Sequence, residues 1–477
     1  MSNNILVTGR FNILHLGHIR LLKFAKELGG KLFVGVESDI KAGSHAYVHE
    51  KLRIESLKSN NWVDECFIYN QSIDEIIHKY DINIVVKGKE HENKFNEELE
   101  IIKKKNGKLI FSSGESVFSS VDLITKEFSE IDSNTIKIPF DYLERHNFTF
   151  EKLHNILSNF SRVKVCVIGD LIMDEYITCQ ALGMSQEDPT IVVTPIHNTT
   201  FIGGAGIVAA HASGLGAEVE FITIVGNDSV KDQALNKLKE YNVKSNLFID
   251  ESRPTTLKQR FRSKGKTLLR VSHLHQGPIS KELQKEILNT LASKLDNIDL
   301  FVFSDFNYGC LPQDLVDEIV KLIKLKKPEI MLVADSQSSS QIGDILRFQD
   351  TDLLTPTERE ARLALRNTED GLVVVAQMIC ERANSKAALV KLGEEGVLLR
   401  FRDGSDWKTD QIPALNSAPQ DVAGAGDCML VASSLALTVG ANMWEAGLLG
   451  SLAAAIQVGR VGNTPITQDE ILHELSE

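Results

Sequence analysis

A chain of 477 residues is too long for one ordinary hydrophobic core, so two or three domains are expected. With 43% apolar and 25% charged residues it has a globular composition, and no stretch reaches the roughly 20 apolar residues of a membrane span. A net charge of −13 without a basic block excludes a nucleic-acid-tracking surface. It leaves small anions open as ligands, because these need only local positive charge.

In chain order, the apolar run 5–8 reads as a buried strand. It is followed by Gly9-Arg10-Phe11-Asn12-Ile13-Leu14-His15-Leu16-Gly17-His18. Ile19, Leu21, Leu22, Ala25 and Leu28 then repeat at the spacing of a one-faced helix that stops at Gly29-Gly30. Strand, glycine turn and helix point free backbone N–H groups at an anion, and His15 and His18 add donors on the first turn. Strands are expected at 31–36, 64–69, 82–86 and 108–111, with helices at 73–79 and 96–105. Such alternation specifies a parallel, doubly wound sheet, whose ligands collect at the carboxyl ends of its strands. His15, His18, Lys87 and Ser119 all fall at those ends. Lys87 follows a buried strand and is read as a phosphate contact, and Ser119-Ser120 as a helix cap compatible with a second anion site.

The first stretch resembles the H-x-G-H signature of the cytidylyltransferase-like nucleotidyltransferases. The resemblance implies that His15 and His18 hold a nucleoside triphosphate and act in catalysis with Lys87, which lies in the family's V-K-G motif. It puts Gly9, Phe11, Asn12, Arg53, Ser119 and Ser120 at the nucleotide and its phosphates. A sugar phosphate oxygen would attack the α-phosphorus and expel pyrophosphate. The family usually has Asp where this chain has Asn12, an amide that keeps hydrogen bonds but not charge. The loop 41–48 is short and lacks an Arg-Pro pair found in relatives.

Beyond residue 128 the alternation stops. Asp132-Ser133-Asn134-Thr135 and Pro139 form turns, and residues 148–160 read as a connecting amphipathic helix. The expected organisation is therefore a first domain over 1–128, a partly ordered linker over 129–160, and a second domain over 161–477.

The second domain opens with a buried strand at 163–168, followed by Gly169-Asp170 and Asp174, carboxylates placed to accept hydrogen bonds from sugar hydroxyls. Gly203-Gly204-Ala205-Gly206 opens a helix. Residues 190–195 and 255–270 alternate in character and are expected to form a small β lid, to which Lys258, Arg260, Arg262 and Arg270 lend positive charge. The sharpest signal is Asp421-Val422-Ala423-Gly424-Ala425-Gly426-Asp427 before an apolar helix: an anion nest at a helix start, with a carboxylate beside it to accept a proton.

This string resembles the D-T-x-G-A-G-D signature of ribokinase-like carbohydrate kinases, and residues 161–477 follow that family throughout. The resemblance implies Asp427 as the base, with Gly424, Ala425 and Gly426 around the transferring phosphoryl group. Gly393 and Gly396 would lie under the nucleotide. Asp170, Asp174, Gly203, Gly204, Lys258, Arg260 and Asp305 would bind substrate, and Glu360 would order magnesium-bound water. Five positions depart from the pattern: Ile207 replaces Asn, Thr357 replaces Asn, Val422 stands for the Thr of the D-T-x-G-A-G-D string, and Tyr308 and Gln337 each stand where the nearest relatives place Lys.

The pairing resembles the bifunctional family that joins a heptose 7-phosphate kinase to a heptose 1-phosphate adenylyltransferase, with the two halves in reversed order. It implies an α/β enzyme of two doubly wound domains that makes a nucleotide-activated, heptose-like sugar from ATP and a sugar phosphate, with magnesium. Two alternatives stay open. One keeps only the nucleotidyltransferase active, beside a ligand-sensing or dimerising kinase-like domain. The other runs both activities on another sugar or polyol, with CTP in the first domain. A homodimer, no nucleic-acid or membrane partner and a cytoplasmic location are expected. The six cysteines are scattered without a C-x-x-C pair, as in a reducing compartment.

Overall fold

A computed structural model describes residues 4–12, 14, 16–43, 48–88, 96–105, 107–112, 135–263, 266–338 and 343–476. The expectations for His15, Ser119 and Ser120, and for the chain around residue 128, lie outside them. Contacts divide the chain into two compact units, Met1–Ser133 with Asn367–Ala376, and Asn134–Arg366 with Gln377–Glu477.

The first unit is a five-stranded sheet of β1 (Asn4–Gly9), β2 (Lys31–Glu37), β3 (Glu65–Tyr69), β4 (Ile84–Gly88) and β5 (Lys108–Ser112), in the order β3-β2-β1-β4-β5. Every pairing is parallel. Leu6, Val85 and Phe33 face Ile76, Ile77 and Ile102 of the covering helices, so the strands read as unbroken apolar runs. The helix Leu16–Glu27 follows the central strand β1 directly. That order puts the turn between them where the strand order reverses, the usual ligand crevice of an open sheet.

The second unit carries a nine-stranded sheet and a four-stranded one. Its strands in chain order are β6 (Lys164–Gly169), β7 (Leu171–Met184), β8 (Ile191–Gly204), β9 (Glu218–Val225), β10 (Lys244–Ile249), β11 (Leu257–Ser263), β12 (Lys266–His273), β13 (Leu300–Asp305), β14 (Met331–Ser336), β15 (Leu353–Leu354), β16 (Ala387–Lys391), β17 (Val397–Asp403) and β18 (Asp406–Ile412). The large sheet runs β10-β9-β6-β13-β14-β15-β16-β17-β18, parallel as far as β16 and then closed by two antiparallel pairings. Its core joins the sheet to two nearly all-apolar helices, Ala425–Thr438 and Met443–Val458. Both architectures are the expected doubly wound α/β type.

The small sheet, β12-β11-β7-β8, is the expected lid, with one strand more than the alternation at 190–195 and 255–270 suggests. That strand is β7, which starts one residue after β6 ends and pairs with β8 from Leu171↔Gly204 outward. The stretch expected to be a partly ordered linker has a different character from Thr135 onward. The helices Phe140–Arg145 and Phe150–Ser158 bury Tyr142, Leu143, Leu153, Ile156 and Leu157 in the second unit's core, with Phe148 from the turn between them. All six cysteines are free thiols, and no helix among the described residues is long and apolar enough to cross a membrane.

Candidate active sites

In the first unit, the chain leaves β1 through a strained turn. Phe11 is buried yet holds a φ of 50°, a left-handed conformation unusual for an aromatic residue. Its ring centre lies 5.0 Å from that of His18 on the first turn of the following helix, and its edge packs over Gly9. Asn12 Oδ1 accepts a 3.4 Å hydrogen bond from the Val48 amide. Gly9, Phe11, Asn12 and His18 are thus gathered at the carboxyl end of the central strand.

Arg53 does not face that crevice as a free phosphate contact. It is 1% exposed; its Nη1 donates to the Arg10 carbonyl at 2.7 Å and its Nη2 to Asp39 Oδ1 at 2.5 Å. The guanidinium braces the turn after β1 from behind, and hydrogen bonds from Arg53 and the Glu50 amide outweigh desolvation to hold the Asp39 carboxyl below its usual range. Lys87, near the end of β4, is paired with the buried Glu98 at 2.8 Å. A phosphate reaching Lys87 competes with that carboxylate.

The second unit holds a cavity of about 840 Å³, large enough for a nucleotide and a sugar together. Its lining unites Asp174, Gly204, Lys258, Arg260, Glu360, Gly393, Gly396, Gly424, Ala425, Gly426 and Asp427, with Arg270 beside them. The floor is the start of the helix Ala425–Thr438. Gly424, at φ 80°, turns the chain into that helix, and a Cβ there would meet Asn463 Oδ1 at 2.2 Å, so only glycine fits. Asp421 ties the approach by accepting from the Ala423 amide (3.1 Å), the Gly462 amide (3.2 Å) and the Tyr176 hydroxyl (3.3 Å). The first N–H groups of that helix lie at the cavity wall, where helix geometry leaves them without intrahelical acceptors.

Asp427 stands in the first turn of that helix, 5% exposed. Burial, followed by repulsion from Asp335, pushes its pKa up to about 7, while Lys391 and the Gln337 hydrogen bond pull the other way. Gln337 Nε2 donates to Asp427 Oδ1 at 3.0 Å. The departure at 337 therefore places a neutral amide, not an ammonium, on the candidate base. A carboxylate poised near neutrality beside an anion nest suits proton abstraction from a hydroxyl.

Opposite, the lid supplies charge. Arg260 Nη2 donates to Asp174 Oδ1 at 3.4 Å. Burial raises the Asp174 pKa, and Arg260 and Lys258 oppose it. Lys258 Nζ lies 5.0 Å from the Tyr308 ring centre and 5.4 Å from that of Phe306. Tyr308, one of the departures, thus serves with Phe306 as an aromatic platform for Lys258.

Three expected substrate contacts are turned elsewhere and do not line the cavity. Asp170 accepts from the amides of Phe306 (2.9 Å), Tyr308 (3.2 Å) and Cys310 (3.2 Å), so it shapes the loop after β13. Asp305 accepts from Ser336 Oγ (3.0 Å) and Arg347 Nη1 (3.1 Å), with burial raising its pKa to about 6. Gly203 lies in β8, paired with Ile172.

Glu360 reaches the cavity from a capping box. Its Oε2 accepts from the Thr357 amide at 2.8 Å, Thr357 Oγ1 accepts from the Glu360 amide at 3.2 Å, and Glu360 Oε1 accepts from the Ser338 amide at 2.7 Å. Thr357, the departure from Asn, is the N-cap itself. Lys391, Asp335 and Tyr176 are neighbours to which the sequence reading gives no role, and Gln337 enters it only as a departure. For Lys391, Asp335 and Gln337 the signal is positional, at or next to the ends of β16 and β14; Tyr176 lies inside β7 and carries none.

Residues 162–469 match the pfkB family of carbohydrate kinases, and residues 6–169 match the cytidylyltransferase-like family. Among named relatives, the bifunctional protein HldE of Helicobacter hepaticus is 31% identical over 313 residues, 65% of this chain and 63% of that one. HldE of Wolinella succinogenes is 28% identical over 324 residues, 67% of this chain and 66% of that one. The matched regions thus span just under two thirds of these relatives' own lengths. Among solved structures, Thermotoga maritima ribokinase superposes with a TM-score of 0.51 at 23% identity, covering 66% of this chain and 100% of that one. Escherichia coli phosphofructokinase-2 does so at 0.54 and 17%, with 66% and 100% covered. These two likenesses bear on the fold.

Proposed function

The chain belongs to the pfkB family of carbohydrate kinases, and from that premise we propose that it is a bifunctional transferase. Its second unit phosphorylates a heptose-like sugar phosphate with ATP, and its first joins a sugar phosphate to a nucleotide and releases pyrophosphate. The observation that carries the reading is Asp427, buried and poised near neutrality at the edge of the Gly424–Gly426 nest.

In the kinase step Asp427 takes the proton from a sugar hydroxyl as its oxygen bonds to the γ-phosphorus. The bond from that phosphorus to the β–γ bridging oxygen breaks, and the electron pair leaves with ADP. The nest N–H groups stabilise charge on the phosphoryl oxygens. Asp174 is placed to accept from sugar hydroxyls, and Lys258, Arg260 and Arg270 to hold the phosphate the sugar already carries. Gly393 and Gly396 line the nucleotide end. The donor set fits magnesium: each Glu360 oxygen keeps a lone pair beyond its amide bond, enough to orient water of an ion held mainly by nucleotide phosphates. Magnesium would neutralise phosphate charge there.

In the first unit the turn after β1 would seat the triphosphate between His18 and the helix start, with Lys87 leaving Glu98 for phosphate. By the family resemblance alone, His15, Ser119 and Ser120 would add further phosphate contacts. Positioning two reactants in line, without a covalent intermediate, supplies most of such a rate. Mass spectrometry after incubation with ATP or CTP and a pool of sugar phosphates tests the reading. An added phosphate and a nucleotide-linked sugar are expected; the absence of both overturns it.

We also assign the exposed tip of the small sheet to a homodimer contact. Leu182, Met184 and Ile191 stand exposed where the ends of β7 and β8 pair, with Ile196 exposed further along β8, an apolar edge that a second copy would cover. Light scattering should find a dimer for the wild-type chain and a monomer for Met184→Asp/Ile196→Asp.

A further inference from the structure

The kinase step makes no use of Lys391, a largely buried cation beside the nest. Lys391 is the last residue of β16, and its side chain is 12% exposed. Its Nζ lies 3.0 and 3.2 Å from the two oxygens of Asp335, at the end of β14. A Cβ on Gly426 would sit 3.1 Å from the same Nζ, so the ammonium is pressed against the second residue of the helix that forms the nest. Burial disfavours its charge, but Asp335 and Glu360 more than offset this and hold its pKa above the usual lysine range.

Neutralising Asp335 would not by itself require this placement. Asp335 Oδ1 already accepts from Thr355 Oγ1 at 3.0 Å, and an ion pair with Asp335 does not of itself need the ammonium to touch Gly426. What the placement adds is a fixed positive charge directly beneath the phosphate seat. We propose that Lys391 is a positioning residue for phosphoryl transfer: held by Asp335 under Gly426, its ammonium stabilises the negative charge that builds over the nest as the phosphoryl group moves. This rests on the kinase reading above.

Backbone N–H groups offer only partial charges, and a full charge a few ångströms below them adds an attraction that grows with every increment of charge on the phosphoryl oxygens. The same cation faces Asp427 from below, while Asp335 on β14 and Asp174 on β7 face it with negative charge and Gln337 donates to it. Lys391 thereby keeps the candidate base ionised close to neutral pH.

Lys391→Met alone strands the Asp335 carboxylate, so it is paired with Lys391→Met/Asp335→Asn, which removes both charges together and guards against misfolding. Steady-state ADP formation is measured for both, with thermal unfolding, in full-length protein with ATP, magnesium and a heptose 7-phosphate. The double variant should unfold near the wild-type temperature. Its kcat should be lower by about 10² while KM for either substrate moves less than about threefold. In Lys391→Met the limb of kcat/KM that reports the base should shift to higher pH. A folded double variant with wild-type kcat shows that Lys391 merely balances Asp335 and overturns the inference. If wild-type protein forms ADP and Asp427→Asn does not, the kinase reading stands whatever Lys391 does; if wild-type protein forms none with any sugar phosphate, both fall.

Discussion

Asp427 shows how a single residue is held in an unfavourable state for chemistry. Its pKa of about 7 in the folded chain lies above the 3.8 of a free aspartate, chiefly because it is buried. The folded state therefore binds a proton that the unfolded state has released between those two values, and stability falls as pH rises through that window. Asn carries no such penalty. Asp427→Asn should raise the melting temperature at pH 8 by a few degrees, on the order of 1–3 kcal/mol, and leave it nearly unchanged at pH 4. The same variant should lower ATP turnover by about 10²–10⁴. In wild-type protein kcat/KM should rise with pH to a plateau above about 7, because the base works only when ionised. Differential scanning and initial-rate assays on one preparation read all of this; a variant that loses activity without gaining stability would place the strain elsewhere.

Among the elements, turns carry the function and strands carry the turns. The turn after β1 is braced by Arg53, whose guanidinium holds Arg10 and Asp39 instead of facing open space. Arg53→Met should lower both the unfolding temperature and pyrophosphate release, the latter through kcat. A direct phosphate contact would instead raise KM for the nucleotide and spare the fold. The sequence is transparent where one physical cause acts. Unbroken apolar runs such as Ile84-Val85-Val86 mark buried parallel strands, and glycine at Gly424 marks a left-handed turn. It is opaque where two causes share a residue. Asp170 and Asp174 look alike after β6, yet one accepts three amides of the loop 306–310 while the other enters the cavity. The strand β7 escapes notice because its first half is buried and its second exposed, so no single period runs through it. Arg53 and Asp305 were legible as charged groups near a site, but not as groups whose charge a neighbour already holds.

For the whole molecule, the decisive feature is that the two candidate sites are built from separate sheets. The turn after β1 uses residues of the first unit alone, and the cavity around Asp427 uses residues of the second alone. Among the described residues none is shared, so the chemistry of each should be removable without the other. His18→Ala takes away a donor at the first helix turn and leaves the fold of the second unit intact. Asp427→Asn does the reverse. In one reaction mixture, His18→Ala should lose pyrophosphate release by about 10² or more and keep ADP formation within about twofold, and Asp427→Asn should show the mirror image. A mixture of the two variants should then restore the full product sequence, provided the intermediate leaves one molecule and enters another. If Asp427→Asn also silences pyrophosphate release from a sugar phosphate supplied directly, the two chemistries are coupled within the protein, and independence of the sites is refuted.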